Sequence, residues 1–288
     1  MSHPLYAVTG ASGQLGRLAV AALAARVGAA AVVAIVRDPA RAAGLFPAGV
    51  VIRAGDYDQP ASLEAAFAGV ERLLLISSNA IGQRLAQHRN AIAAARQAGV
   101  ARIAYTSVLR ADISPLGLAE EHRQTESALA ESGLPHSLLR NGWYTENYAA
   151  SIPPALAHGA LIGSAGDGRI ASAARADYAE AAAVALIGDQ APRVVHELAG
   201  DASYSLAEFA AELSRQAGKT VPYVDMPEAD YRGALLGAGL PEGLASLLAD
   251  SDAAAAKGAL NDESRVLSRL IGRPTTPFAT TIAEALRG

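Results

Sequence analysis

Three glycines, Gly10, Gly13 and Gly16, stand at G-x-x-G-x-x-G spacing in GASGQLG, between the apolar run LYAVT and the amphipathic stretch QLGRLAVAALAARV. A strand that feeds a helix through such a turn is the opening of a βαβ unit, which commits the start of the chain to a parallel sheet. Gly10 suits the sharp turn, Gly13 lets backbone approach a ligand, and Gly16 allows the helix to pack closely. The loop backbone of Ser12, Gln14 and Leu15 completes a cradle of N–H groups at the positive end of the helix dipole. That is a seat for a pyrophosphate.

Apolar runs alternate with helical patterns through the first half: LYAVT, VVAIVR, VVIRAG, RLLLIS, RIAYTS and HSLLRN. The alternation predicts an α/β fold, a Rossmann-like doubly wound parallel sheet. After about residue 145 the pattern shifts to Pro153-Pro154, the glycine-rich GSAGDG, a helix from Asp177, the short strand VVHELAG and then mostly helices. We therefore expect a dinucleotide-binding domain over 1–145 and a smaller, mainly helical substrate lobe over 146–288 that returns at least one strand to the sheet. The alanine-rich ADSDAAAAKG reads as helix rather than linker.

Ligands of such sheets bind beyond the carboxyl ends of the strands, so the residues there carry the functional reading. The second strand ends in Arg37, about twenty residues past the glycine loop, where an acidic residue would select an NAD ribose. Arginine pairs through its planar fork with a 2′-phosphate, and Arg41 adds charge nearby, so NADPH is expected over NADH. Asp38 before Pro39 reads as a helix N-cap with proline in the first turn. Asp56 and Tyr57 end the third strand, where a carboxylate either accepts from an adenine amino group or caps a turn. Ser77, Ser78 and Asn79 end the fourth, as ribose and phosphate contacts or as ordinary caps. Tyr105, Thr106 and Ser107 end the fifth strand, and Arg140, Asn141 and Gly142 the sixth, flanking the place of a nicotinamide.

Other chemistries are disfavoured. The only lysines are Lys219 and Lys257, and neither has a tyrosine four residues earlier, so no Tyr-x-x-x-Lys pair exists. There are no cysteines, which removes disulfides and thiolate chemistry, and a reducing cytoplasm is compatible. The six histidines, at 3, 88, 122, 136, 158 and 196, show no metal-ligand spacing, so no metal is expected. A net charge of −4 with scattered arginines offers no field for nucleic acid. The longest apolar stretch is split by Arg26 and Gly28 into pieces too short for a membrane span, and no export signal is seen at the N-terminus.

With these residues in place, the chain resembles the atypical short-chain dehydrogenases of the NmrA-like group, and within it the bacterial type 2 NAD(P)H:quinone oxidoreductases. The resemblance runs from TGASGQLG through IVRDPAR, LLLISS, GQR, QHRN, DISPLGLAEEH, LLRNGWYTENY, GDGRIASAARADYAEAAA and ADSDAAAAKGAL to LIGRPTT. It implies NADPH at Gly10, Gly13 and Gly16, its 2′-phosphate near Arg37 and its nicotinamide beside Asn141 and Trp143. It also puts Leu118 in the slot of the superfamily's tyrosine and His122 in that of its lysine. Leucine donates no proton; Ser107 and His122 are the remaining candidates for a catalytic role, His122 through the nicotinamide ribose. Trp143, Tyr144, Asn147 and Tyr148 are placed around a quinone. A quinone is electron-poor and yields a weakly basic hydroquinone anion, so flavin-free hydride transfer needs mainly orientation, with water supplying the proton. The alternatives are a non-catalytic dinucleotide-binding sensor and a reductase of triarylmethane dyes.

Overall fold

The computed structural model describes residues 5–287; His3 lies outside them. Among the described residues nine strands form: β1 (Leu5–Val8), β2 (Val32–Val36), β3 (Val51–Ala54), β4 (Val70–Leu75), β5 (Arg102–Val108), β6 (His136–Asn141), β7 (Leu161–Gly163), β8 (Arg193–Leu198) and β9 (Tyr223–Asp225). The helices are α1 (Gln14–Val27), α2 (Pro60–Ala66), α3 (Arg84–Gln97), α4 (Ala119–Ser132), α5 (Thr145–Ala149), α6 (Ile152–His158), α7 (Arg175–Gly188), α8 (Leu206–Ala217), α9 (Glu228–Gly237), α10 (Glu242–Ala255), α11 (Val266–Ile271) and α12 (Phe278–Arg287).

Seven strands make one sheet in the order β3-β2-β1-β4-β5-β6-β8, with every pair from β3 to β6 parallel. The expected doubly wound sheet is present. The crossovers diverge on either side of β1, which opens a crevice at its carboxyl end beside β4. Strands β2 and β5 are buried along their whole length, as the centre of a sheet covered on both faces requires, whereas edge strand β3 is partly exposed. Leu73, Leu75, Ile103 and Tyr105 pack with Leu63, Phe67, Ala91, Ile92 and Leu129 from α2, α3 and α4 on one face. Each such aliphatic or aromatic burial contributes about 1.5–3 kcal/mol. On α7 the buried positions are mostly alanine, and on α1 they include Gly16, Ala19 and Ala24, which lets the two helices lie close, and Arg26 reaches Glu180 at 2.6 Å.

One expectation is corrected. Asp38 accepts from the N–H groups of Ala40 and Arg41 at 3.0 and 3.2 Å, but the residues it caps form turns and no helix. The bonds that follow span three residues, Ala42 to Pro39 and Leu45 to Ala42, and left-handed Gly44 together with Pro47 stops a fourth-neighbour ladder.

The chain divides into two compact units. The first comprises 1–111, 121–141 and 175–196, and the second 112–120, 142–174 and 197–288. The second holds the parallel pair β7–β9 and the helices α8 to α12. Its core includes a ring cluster in which Tyr204 lies 4.3 Å from Phe278 and 5.8 Å from Phe209 between centroids. Helix α8 starts with a complete capping box between Ser205 and Glu208.

Candidate active site

The glycine loop has the geometry its spacing implies. Gly10 sits at φ +59°, and its carbonyl accepts from the Gly13 N–H at 3.0 Å. A side chain at Gly16 would place its Cβ 2.3 Å from the Gly10 carbonyl oxygen and 2.7 Å from the Ala11 Cα, both backbone, so only glycine fits. At Gly13 the same carbonyl would be 3.2 Å away. Gly13 is the N-cap of α1 and bears no side-chain cap, and the first turn contains no acidic residue. The leading N–H groups of the helix are therefore left for a ligand, with Ser12 and Gln14 exposed and Leu15 buried as the anchor. Such a seat fits a dinucleotide's pyrophosphate.

Beneath the loop, Thr9 and Tyr57 lock the ends of β1 and β4. The Tyr57 hydroxyl lies 2.6 Å from both Thr9 Oγ1 and the Ile76 carbonyl, and Thr9 Oγ1 accepts from the Ile76 N–H at 3.1 Å. Burial raises the Tyr57 hydroxyl's pKa, so it stays a neutral phenol. Asp56 is half-buried and accepts from the Asp58 N–H at 3.1 Å, which is the turn-capping alternative in action. Arg37 and Arg41 are exposed at the end of β2, and among the described residues Arg37 has no partner. Its guanidinium is available to an anion.

At the ends of β4 and β5, Ser77 donates its N–H to Thr106 Oγ1 at 2.8 Å, and the two hydroxyls lie 3.3 Å apart. Ser78 is tied by its N–H to His88 Nε2 at 2.9 Å and by its hydroxyl to Gln87. Because Nε2 accepts, the His88 hydrogen is on Nδ1, which reaches Thr125 Oγ1 at 3.0 Å. Burial, and then the Arg84 cation, lower the His88 pKa to about 3. The same two causes hold His122 well below the ordinary histidine value, so both rings are neutral. His122 is buried with Nδ1 2.7 Å from the Tyr105 hydroxyl. Arg84 itself is buried and pairs with Glu121 at 3.5 Å.

The fold gives Ser107 an acid partner. Its hydroxyl donates to Glu126 Oε1 at 2.6 Å, and Arg140 grips the same carboxylate through Nε at 3.0 Å and Nη2 at 2.7 Å. This two-pronged pair is buried, so Arg140 is held by protein and orients Ser107 through Glu126. Asn141 is buried, and its carbonyl accepts from Leu109 at 2.9 Å.

Within the second unit, Trp143 and Tyr148 form one cluster, with ring centroids 6.4 Å apart, and Tyr148 also lies 6.2 Å from Phe209. Tyr144 and Asn147 are half-buried beside them in sequence. Residues that the strand-end reasoning missed are Arg84, His88, Glu121, Thr125, Glu126 and Asp252. GQR, QHRN and ADSDAAAAKGAL carried three of them, and the i, i+4 spacing of Glu121 and Thr125 was available on α4. Among the described residues, no three His, Asp or Glu side chains gather as metal ligands, and no helix is long and apolar enough to cross a membrane.

Residues 10–187, from the glycine loop to the end of α7, match the NAD(P)H-binding family. The chain belongs to that family. It is 55% identical to quinone oxidoreductase 2 of Escherichia coli K12 over 97% of its own length and 98% of that protein's. The crystal structure of the E. coli NADPH-dependent quinone oxidoreductase complexed with NADPH superposes with a TM-score of 0.94 at 54% identity, covering 98% of this chain and 100% of that one. The Citrobacter sp. triphenylmethane reductase complexed with NADP(H) gives a TM-score of 0.92 at 37% identity, covering 97% and 99%.

Proposed function

We propose that this NAD(P)H-binding protein is an NADPH-dependent quinone reductase that works without a flavin. What most supports the reading is likeness over nearly the whole chain, at 54% identity, to an NADPH-dependent quinone oxidoreductase. NADPH, when bound, supplies the hydride. The chain's own residues do the rest. The uncapped start of α1 and the loop Gly10–Gly16 hold the pyrophosphate, Arg37 holds the 2′-phosphate, Asp56 edges the adenine, Ser77 and Ser78 edge the ribose and phosphates, and Thr106 flanks the nicotinamide.

His122 is neutral in this setting and acts as a hydrogen-bonding partner of the nicotinamide ribose, not as a proton reservoir. Ser107, aligned by Glu126 and Arg140, and Asn141 border the nicotinamide. Trp143, Tyr144 and Tyr148 provide an aromatic wall for a flat, electron-poor ring, Asn147 adds an amide beside them, and solvent delivers the proton to the hydroquinone anion. Orientation carries the catalysis.

The test is anaerobic loss of NADPH absorbance with purified protein and simple quinones, a triarylmethane dye being run in parallel. Rapid loss with quinones, and no flavin absorbance in the protein, is the expected result. Turnover of the dye alone would move the substrate assignment to the chemistry of the Citrobacter relative. Tight NADPH binding without any turnover would make the protein a sensor.

A further inference from the structure

The block ADSDAAAAKGAL contains a carboxylate for which the reaction above has no use. Asp252 on α10 is 3% exposed, and among the described residues no Lys or Arg pairs with it. A buried carboxylate without a cation is costly, so what it holds is informative. Its Oδ1 accepts from the Tyr148 hydroxyl at 3.0 Å, and its Oδ2 accepts from the Ser164 N–H at 3.0 Å.

The surroundings are built to keep it there. A Cβ at Gly163 would meet Oδ2 at 2.8 Å and Leu206 Cδ1 at 2.9 Å, so backbone presses directly on the carboxylate. The next two N–H groups of the GSAGDG loop are also held, Ala165 by the Tyr223 hydroxyl at 3.0 Å and Gly166 by Asp225 Oδ1 at 2.8 Å. Asp252 thus joins a rigid loop to one ring of the Trp143–Tyr148 cluster.

We propose that Asp252 is a positioning residue for the quinone, clamping the Tyr148 hydroxyl so that the ring is held at a fixed angle in the substrate wall. This rests on the reading that Tyr148 contacts the quinone. With its hydroxyl anchored on Asp252, Tyr148 is 7% exposed, holds its ring beside Trp143 and Phe209, and has no proton to offer.

The clamp is sensitive to pH. The groups facing Asp252 are Asp225 and Tyr223 of β9, Tyr148 of α5 and Tyr231 of α9. Arg232 of α9, next to Tyr231 in sequence, is engaged by Glu242 at 2.7 Å and by Ser246. Burial, and then the Asp225 charge, raise the Asp252 pKa to about 6 against the N–H and O–H donors that lower it. On protonation the Ser164 N–H still needs Oδ2 as acceptor, so the hydrogen must go on Oδ1. The bond to Tyr148 is then reversed and the phenol hydrogen loses its acceptor. Asp252→Asn does the same permanently, its amide oxygen facing Ser164 and its NH2 facing Tyr148.

Trp143 is the chain's single tryptophan, so quenching of its fluorescence by 1,4-benzoquinone measures substrate affinity without turnover. We expect Asp252→Asn and Tyr148→Phe each to raise the quinone Kd and KM by about fivefold to tenfold, as loss of one buried, charge-assisted hydrogen bond implies. The double variant should be no worse than either, with NADPH affinity unchanged. The wild-type KM should climb below about pH 6 toward the Asp252→Asn value, while both variants stay flat. If Tyr148→Ala weakens quinone but Asp252→Asn leaves Kd, KM and the pH profile as in wild type, the clamp is refuted and the site stands. If Tyr148→Ala leaves the quinone Kd unchanged, the site reading falls and the clamp with it.

Discussion

Asp252→Asn should make the protein more stable at neutral pH even as it damages quinone binding. The folded chain holds the Asp252 proton up to about pH 6, whereas the ordinary carboxyl value of 3.8 applies once the chain unfolds. Between those values the folded state binds more protons than the unfolded, so the contribution of this group to stability falls as pH rises, and above about pH 6 the loss is complete. Two pH units at about 1.4 kcal/mol each make a penalty of roughly 3 kcal/mol at pH 7.5.

The neutral amide removes that penalty, and because the protonated acid leaves the Tyr148 phenol hydrogen without an acceptor in the same way, that loss is already contained in the shifted value. The net gain is then about 3 kcal/mol, or about 6 °C in Tm for a chain of this size. Calorimetry at pH 7.5 and at pH 4 measures it. The two proteins should differ at pH 7.5 and draw together at pH 4, where wild-type Asp252 is itself protonated. An Asp252→Asn protein that melts at or below the wild-type temperature at pH 7.5 would refute the reasoning, because Asp252 would then be a stabilising carboxylate.

Three further outcomes test the cofactor side. Gly16→Ala drives a Cβ into the backbone of Gly10 and Ala11, so α1 and the turn must part; NADPH affinity should fall at least about tenfold with an overpacking cost of about 1–3 kcal/mol, read by binding and thermal melts. Arg37→Ala should weaken NADPH by about tenfold or more and leave NADH nearly untouched, and equal losses for both would remove Arg37 from the 2′-phosphate. His122→Ala should raise the NADPH Kd with little change in the pH dependence of kcat between 6 and 8, since the ring is already neutral there; a lost ionisation in that range would make it an acid instead.

The sheet was legible because its signals are local. Alternating apolar runs and amphipathic stretches define β1 to β6, and the glycine spacing specifies the turn into α1, down to the contact at Gly16 that excludes any side chain. The place of Arg37 just past the end of β2 was legible too, since it is counted along one βα unit. The Asp38-Pro39 helix was misread because a cap and a first-turn proline are only permission to start. Gly44 and Pro47, a few residues on, decided that no helix follows.

By itself, the sequence determined most of the segments that become strands and helices, the glycine turn into α1, and the lack of a Tyr-x-x-x-Lys pair, because backbone conformation and the absence of a residue type are properties of neighbouring positions. Only the tertiary structure decided which polar side chains meet. Ser107 finds Glu126 and Arg140 across two strands and a helix, and His88 is made a neutral acceptor by Ser78 and the burial around it. Tyr148 and Asp252, 104 positions apart, become one hydrogen-bonded pair. Pairing and desolvation depend on what surrounds a group in three dimensions, so the charge states and the orientation of the candidate site had to wait for the fold.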